Sequence, residues 1–276
     1  MSLPLIIVPV FNAYEKLSAC LESLTRTLPP RANVLLIDDA STDTRVLPLL
    51  QAWAGQSESQ CRLLVHEKNQ GFVATANHGM QQSDTDVILL NSDTEVTHGW
   101  LESLAQCLES DHSIATATPW SNNGEIVSIP EFCMANPVPR DPESFASVIS
   151  SCGQPGYPEM PTAVGFCMAI SRRAIRRLGL FDEEAFGLGY GEENDFCQRA
   201  EKAGLRNVLC DNAYVVHHGG ASFGPLGLKP DESTMSRLLA KHPDYLRQVT
   251  EFIREDPLAN RRQEILACLD HTRQKS

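Results

Sequence analysis

Residues 3–12 have the sequence LPLIIVPVFN, in which an apolar run leads directly into a proline and then an amide. The run from Leu3 to Val8 shows no alternation of polar and apolar residues, which is typical of a strand buried on both faces of a parallel sheet. Apolar residues then recur at helical spacing from Leu17 to Leu28, and Pro29-Pro30 ends that helix. The chain therefore begins with a strand and a helix.

The same unit is predicted three more times before residue 110. The predicted strands are Val34–Ile37, Arg62–His66 and Val87–Leu90. The predicted helices cover Thr44–Trp53, a short stretch ending near Gln82, and a stripe from Trp100 to Leu108. Four alternations of strand and helix predict an α/β fold with a doubly wound, mostly parallel sheet.

The second half of the sequence is less regular. Residues 119–161 are rich in Pro, Ser, Asn and Gly, which predicts long loops with one helix. A strand is expected within Ala163–Ser171 and another at Val208–Val216, with helices at Arg172–Leu178 and Glu192–Ala203. From about Gly227 the composition is charged and helical, so we predict a helical C-terminal appendage.

Composition narrows the classes of partner. The formal net charge is −12 over 276 residues, which argues against nucleic acid or an anionic membrane surface as a general partner. No stretch approaches the roughly 20 apolar residues of a membrane span. The nine cysteines are dispersed and form no CxxC pair, which predicts reduced core thiols in a cytoplasmic protein.

Polar residues follow each of the four predicted strands. They are Pro9–Asn12, Asp38-Asp39, Asn69–Gly71 and Asn91–Asp93. Turn chemistry explains any one of these segments, but ligands of open parallel sheets bind beyond the carboxyl ends of the strands. Four such segments in succession therefore favour a binding cleft at that edge.

The residues at this edge limit what the cleft can bind. The sequence has no GxGxxG, no GK[ST] and no GxSxG, so the usual dinucleotide, P-loop and serine-hydrolase motifs are missing. Phe11 could stack on a base, and Asp39 could accept hydrogen bonds from the base or the ribose. Asp93 suits a hard divalent cation. Such a cation would offset the negative charge of a diphosphate and so allow an acidic protein to bind it.

Several segments together resemble inverting glycosyltransferase family 2, whose members have the GT-A fold. The segments are Ile6–Asn12, Leu36–Asp43, Asn69–Asn77, Leu89–Asp93, Gly165–Met168, Gly191–Arg199 and His217–Phe223, in the family's order over roughly residues 3–224. The resemblance implies a GT-A domain at residues 1–225, with a Rossmann-like nucleotide-sugar-binding half at 1–118 and an acceptor half at 119–225. Residues 226–276 would form the helical extension.

The resemblance also implies ligands and residue roles. The donor would be a UDP-, dTDP- or GDP-linked sugar, and the acceptor a bacterial surface glycan, lipid-linked or protein-linked, met at the inner face of the membrane by a peripheral protein without a transmembrane segment. The implied nucleotide-binding residues are Pro9, Phe11, Asn12, Asp39, Asn69, Gly71, Asn77 and Ser92. Mn²⁺ or Mg²⁺ would be held by Asn91 and Asp93, with His217 as a further ligand. The family's metal motif is commonly Asp-x-Asp, so Asn91 makes this motif less acidic than usual.

Inverting transfer needs a base for the acceptor hydroxyl, and Glu193 is the predicted one. Glu192 and Asp195 remain alternatives, because the family's Glu-Asp pair reads Glu192-Glu193 here. Helical spacing places Glu192 and Asp195 on a polar stripe and Glu193 on a more apolar side. Burial would raise the pKa of Glu193 and the helix N-terminus would lower it, and the sequence leaves this balance open.

Two other functions fit an acidic α/β protein of this kind. A nucleotidyltransferase that makes sugar nucleotides would need a glycine-rich, basic loop after the first strand, and Val10–Tyr14 has neither property. A catalytically inert nucleotide-sugar binder would not need both Asp93 and the Glu192–Asp195 acids. These residues therefore favour the transferase.

Overall fold

The computed structural model describes residues 2–187, 189–219 and 232–273. Its strands are β1 (Leu5–Val10), β2 (Asn33–Asp38), β3 (Gln60–Val65), β4 (Val87–Leu90), β5 (Thr94–Val96), β6 (Ile114–Trp120), β7 (Glu159–Met160), β8 (Cys167–Ile170) and β9 (Arg206–His217). Its helices are α1 (Tyr14–Thr27), α2 (Val46–Gln56), α3 (Phe72–Gln81), α4 (Trp100–Ser110), α5 (Pro142–Ser151), α6 (Arg172–Leu178), α7 (Glu183–Phe186), α8 (Glu192–Lys202), α9 (Glu232–Lys241), α10 (Tyr245–Glu255) and α11 (Ala259–Arg273).

The strands form one mixed sheet in the order β3-β2-β1-β4-β8-β6-β9-β5, with β7 paired to β9. The pairs β1–β2, β1–β4 and β2–β3 are parallel, as the strand–helix alternation predicts. In the second half, β8 runs antiparallel to both β4 and β6, and β5 runs antiparallel to β9. The predicted α/β fold with a large, mostly parallel sheet is confirmed, and β6 and β9 of the second half are also parallel.

Both faces of the sheet are covered, which explains the unbroken apolar runs of the strands. Alternate residues of β1 belong to different cores: Ile6 and Val8 face the side of α1 and α4, whereas Leu5 and Ile7 face the side of α3 and α8. A strand with both faces buried needs no polar alternation. The sheet thus holds the carboxyl ends of β1, β2 and β4 on a rigid base.

Three strands were missing from the sequence prediction, among them the two-residue β7. Ile114–Trp120 is the fully buried strand β6, although its Ala, Thr and Pro content carries little strand signal. Trp120 is completely buried and its Nε1 donates to the carbonyl of Asp211, so its ring packs in the core. Thr94–Val96 is the short strand β5, which follows the predicted Asn91–Asp93 turn.

The C-terminal helices dock on both sides of the sheet. Leu238 and Tyr245 join the core under α8, whereas Ile265 and Leu269 of α11 join the core on the opposite face. The predicted boundary between residues 225 and 226 lies outside the described residues. Among the helices of the described chain, none is long and apolar enough to cross a membrane.

The cysteine prediction is wrong at one pair. Cys152, at the end of α5, forms a disulfide with Cys268 of α11, and their Cα atoms are 6.4 Å apart. The two residues are 116 positions apart in sequence, so only the docking of α11 beside α5 brings them together. Other cysteines are free thiols in the core, namely Cys20, Cys107, Cys167, Cys197 and Cys210.

Candidate active site

Asp93 lies in a tight turn between β4 and β5. The turn begins at Asn91, whose N–H donates to the carbonyl of Phe166 (2.9 Å), and it closes where the Thr94 hydroxyl donates to the Asn91 carbonyl (2.7 Å). Ser92 is buried, and its hydroxyl has no hydrogen-bond partner among the described residues. The pairing of β5 with β9 then sets Thr94 opposite His217, which brings the neighbouring Asp93 close to that histidine.

The imidazole of His217 has a defined orientation. Its Nδ1 donates to the carbonyl of Asn123 (2.6 Å), and its ring stacks on Phe166 with centroids 5.1 Å apart. Because a carbonyl can only accept, Nε2 is the nitrogen that carries no proton in the neutral ring. Nε2 lies 3.6 Å from Oδ1 of Asp93. His218 points elsewhere and contacts Glu95, as strand alternation requires.

The Asp93–His217 pair fits a divalent cation that is completed by a substrate. A carboxylate oxygen and an imidazole nitrogen 3.6 Å apart can both ligate one ion, and the carbonyl on Nδ1 is the support that ligating histidines usually have. Within the described residues, no three His, Cys, Asp or Glu side chains are grouped to hold a metal. Mg²⁺-type sites often use one or two protein ligands and take the rest from phosphate and water.

A pair of glutamates forms another part of the same cleft. Gly191, with a φ of +106°, precedes helix α8, and a Cβ on it would lie 3.0 Å from the Phe186 ring, so glycine is required there. Helix α8 then starts with Glu192, which is 5% exposed, and the half-buried Glu193. The N–H of Gly191 donates to Glu193 Oε2 (3.3 Å). Oε2 of Glu192 is buried without a hydrogen-bond donor among the described residues.

Burial has the larger of the two opposing effects on the pKa of Glu193. It raises the pKa of Glu193 above the ordinary glutamate value, despite the lowering effect of the backbone N–H groups at the helix N-terminus. The pKa of Glu192 is raised further, first by burial and then by the charge of Glu193. The two adjacent carboxyl groups therefore titrate as a pair, with one proton retained above the usual range.

This raised pKa predicts that Glu192→Gln stabilises the protein near pH 7. Between the unfolded and the folded pKa values the folded state binds more protons, so stability falls as pH rises through that window. A glutamine removes this loss, which amounts to about 1.4 kcal/mol for each pKa unit of the shift. Urea unfolding should show the gain at pH 7 to 8 and a smaller gain as pH falls toward about 4.3, the ordinary glutamate value.

The matched control is Glu109→Gln, which changes an exposed glutamate at the end of α4. Its free energy of unfolding should stay within about 0.5 kcal/mol of the wild type at every pH. A Glu192→Gln protein that is less stable than the wild type at pH 7 would contradict the raised pKa.

Asp195 contacts the C-terminal helices and does not line the cleft. It is fully buried, and its carboxylate accepts from Arg199 Nε (2.7 Å), Lys241 Nζ (2.7 Å) and His242 Nε2 (2.8 Å). Burial alone would raise the pKa of Asp195, but these three partners hold it below the ordinary aspartate value. The predicted polar stripe of α8 therefore packs against α9 instead of facing solvent.

Removal of this carboxylate should destabilise the fold. Asp195→Ala removes the fully buried acceptor of the His242 Nε2–H, whereas Arg199 and Lys241 are partly exposed and keep other acceptors, so we expect a loss of about 1–3 kcal/mol in the free energy of unfolding. Asp244→Ala removes an exposed aspartate that pairs with Arg247 nearby, and it should cost less than about 1 kcal/mol. Chemical denaturation of the two variants beside the wild type gives both values. Equal losses would contradict the structural role of Asp195.

The residues predicted to bind the nucleoside lie at neighbouring strand ends, except for Asn77 within α3, and only Pro9 and Ser92 of them line the cleft. Oxygen atoms of Asp39 accept from the N–H groups of Gln70 and Gly71, and from Nδ1 of His66 (2.8 Å). His66 Nε2 in turn lies 2.9 Å from Nδ1 of His78, a relay that the sequence prediction missed.

The predicted asparagines at this end mainly organise loops. Asn12 Oδ1 accepts from the N–H groups of Thr42 and Asp43, and Asn69 Oδ1 accepts from the N–H of Gly71. The amide of Asn77 both donates to and accepts from the backbone of Phe181, so it ties α3 to the segment before α7. Phe11 is half-buried beside them.

One cleft of about 320 Å³ joins the parts of the predicted site. It brings together Pro9, Asn91, Ser92, Asp93, Glu192, Glu193 and His217 from the predicted set. It also includes residues that the sequence did not single out, among them Asn123 and Glu125. Tyr190 also lines the cleft, just before α8. A carboxylate–imidazole pair and a glutamate pair in one cleft can bind a cation and accept a proton.

Comparison with known proteins identifies the family and the fold. The model of glycosyl transferase family 2 matches residues 5–179, which span β1 to the end of α6. No curated protein sequence matches the chain.

Solved structures share the fold. A structure of GalNAc-T7 with UDP, GalNAc and Mn²⁺ superposes with a TM-score of 0.65 at 16% identity, over 91% of this chain and 49% of that one. S. aureus TarS with UDP-GlcNAc gives 0.62 at 15% identity, over 90% and 71% of the two chains. The mannosyltransferase PcManGT from Pyrobaculum calidifontis, with GDP-Man and Mn²⁺, gives 0.57 at 14% identity, over 99% and 75%. The chain thus spans about half the length of GalNAc-T7, and the fold is the GT-A fold of glycosyltransferases.

Proposed function

The chain belongs to glycosyl transferase family 2, and on that premise we propose that it transfers a sugar from a nucleoside-diphosphate donor to an acceptor hydroxyl. We further propose that the transfer inverts the anomeric carbon and requires Mn²⁺ or Mg²⁺. The observation that carries the proposal is the joint presence of the Asp93–His217 pair and the Glu192–Glu193 pair in one cleft.

Glu193 is the proposed base. As the acceptor oxygen forms its bond to C1 of the donor sugar, the hydroxyl proton passes to the Glu193 carboxylate and the bond from C1 to the diphosphate oxygen breaks. A carboxylate with a raised pKa is a stronger proton acceptor, which suits this role near neutral pH. The departing diphosphate takes the electron pair of the broken bond.

Asp93 and His217, with Asn91, would hold the divalent cation. Such an ion supplies charge stabilisation to a leaving diphosphate. The protein's own contribution is to keep the two ligand atoms in place: the β5–β9 pairing fixes Asp93, and the Asn123 carbonyl fixes the ring of His217. Ser92, with its unpartnered hydroxyl beside them, could donate to a phosphate oxygen.

The nucleoside of the donor is proposed to lie at the ends of β1 and β2. Pro9 and Phe11 would contact the base there, and Asp39 would accept from the base or the ribose. Asn12, Asn69, Gly71 and Asn77 would act by shaping this end of the sheet, because their hydrogen bonds are to the chain itself. We propose a UDP-, dTDP- or GDP-linked donor and a lipid- or protein-linked surface glycan as the acceptor.

The test is donor hydrolysis by the purified chain. UDP-, dTDP- and GDP-sugars are incubated singly with Mn²⁺ or Mg²⁺, and release of the free nucleoside diphosphate is followed. We expect slow release from one class of donor and its loss on addition of EDTA. Water then replaces the missing acceptor, as the open cleft allows.

The same assay separates the other two functions. Pyrophosphate release from an NTP and a sugar 1-phosphate would identify a nucleotidyltransferase instead. Thermal stabilisation by a nucleotide sugar with no hydrolysis over days, with or without candidate acceptors, would identify an inert binder. Either result would contradict the proposed transfer.

A further inference from the structure

Glu125 is a carboxylate in the cleft to which the proposed reaction assigns no role. It lines the cleft together with Glu192, Glu193 and His217, and its side chain has no hydrogen-bond partner among the described residues. Its charge also contributes to the raised pKa of Glu193. Glu125 therefore lines the same cleft as the proposed cation pair and the proposed base.

The turn that carries Glu125 is firmly anchored. Asn122 binds the backbone of His217 twice, accepting from its N–H (2.9 Å) and donating to its carbonyl (3.2 Å). Beyond Gly124, where a Cβ would lie 2.7 Å from a Val127 methyl, the chain enters a short 3₁₀ turn with Ile126 and Val127 buried. Glu125 itself has a φ of +51°, a conformation that a non-glycine side chain rarely adopts. The fold thus fixes the backbone that carries Glu125, and the Glu125 side chain is exposed.

The cleft around Glu125 is rich in hydrogen-bond acceptors and poor in cations. Its described lining contains four acidic side chains (Asp93, Glu125, Glu192 and Glu193) and no lysine or arginine. In addition, Oε2 of Glu192 is buried and lacks a donor. A ligand with hydroxyl or amide N–H groups can donate hydrogen bonds to carboxylate oxygens that have no donor in the protein. A ligand with its own carboxylate would instead meet like charge at short range.

We propose that Glu125 is a specificity-determining residue, which accepts hydrogen bonds from an uncharged donor sugar and excludes sugars that carry a carboxylate. This inference rests on the proposed transfer function, since it assumes that the sugar occupies the cleft. The cation at Asp93 and His217 offsets the charge of the diphosphate, but Glu125 and the glutamate pair oppose a negative group on the sugar ring. The substrate class is therefore a neutral hexosyl or N-acetylhexosaminyl donor.

The test uses donor pairs that differ only at the sugar's C6. UDP-glucose is compared with UDP-glucuronate, and GDP-mannose with GDP-mannuronate, by calorimetric titration in the presence of Mn²⁺. For the wild type, the uncharged member of the accepted pair should bind roughly tenfold more tightly or better. In Glu125→Gln, which keeps the shape and an acceptor oxygen, this preference should fall about fivefold, mainly because the uronate binds better.

Glu131→Gln is the matched control, because Glu131 is an exposed glutamate on the same loop outside the cleft. It should keep the wild-type preference, and circular dichroism should show that both variants are folded. An unchanged preference in Glu125→Gln, or equal wild-type affinity for the charged and uncharged sugars, would overturn the inference but leave transfer intact. If no nucleotide sugar of the full donor panel binds with Mn²⁺, the proposed function fails and this inference fails with it.

Discussion

Asp93→Ala is expected to abolish metal-dependent donor binding and turnover. Asp93 is the sole carboxylate of the proposed cation site, and His217 and Asn91 are neutral ligands that cannot replace its charge. Loss of several kcal/mol of charge stabilisation on the leaving diphosphate corresponds to roughly a thousandfold decrease in turnover. Donor hydrolysis at saturating Mn²⁺ and donor binding by calorimetry both measure this effect.

The control for Asp93 is Glu95→Gln. Glu95 is two residues after Asp93, in the short strand β5, but it pairs with His218 and does not line the cleft. We expect this variant to keep wild-type turnover and Mn²⁺ dependence. Retention of Mn²⁺-stimulated hydrolysis in Asp93→Ala would show that the cation binds elsewhere.

Glu193→Gln is expected to keep donor binding and to lose transfer. Glutamine preserves the size of the side chain but cannot take the acceptor proton, and general-base catalysis contributes about 10²–10⁴ to the rate. The donor's affinity should change little, because its diphosphate is assigned to Asp93 and His217. Steady-state kinetics with an accepted donor and acceptor, beside calorimetry with the donor alone, separates the two effects.

Two further measurements sharpen this prediction. In the wild type, kcat/KM should decline on the acid side with an apparent pKa above the ordinary glutamate value, since the raised pKa means that the base is protonated at higher pH. Glu201→Gln, an exposed change on the same helix, should leave the rate unaltered. If Glu192→Gln loses transfer while Glu193→Gln retains it, the base is Glu192.

The first half of the fold was predictable because local patterns of apolar residues indicate both its strands and its helices. Unbroken apolar runs mark the doubly buried strands β1, β2 and β4, and apolar stripes mark α1 and α4. The second half depends on contacts between distant segments. Strand β5 has three residues, too few for a periodic pattern, and it exists because it pairs with β9. That pairing is what brings Asp93 and His217 together.

The site residues also differ in whether local sequence or contacts between distant segments indicate their positions. Glu193 was predicted because a helix start rich in acids is visible in the sequence, and the structure places it half-buried beside Glu192. Glu125 was missed because it follows Asn-Asn-Gly, which is an ordinary turn signal. Its value as a site residue comes from the anchoring of that turn to His217. Asp195 lies on the same helix as Glu193, and only the docking of α9 reveals that it holds Lys241 and His242.

The central claim is that one cleft holds the cation site and the base around the same donor. The most direct measurement is an anomalous difference map from a crystal grown with Mn²⁺ and the accepted nucleotide sugar. The account predicts one Mn²⁺ peak within bonding distance of Asp93 and His217 and in contact with the diphosphate, with the anomeric carbon facing Glu193. A Mn²⁺ peak away from Asp93, or a sugar that points out of the cleft, would contradict it.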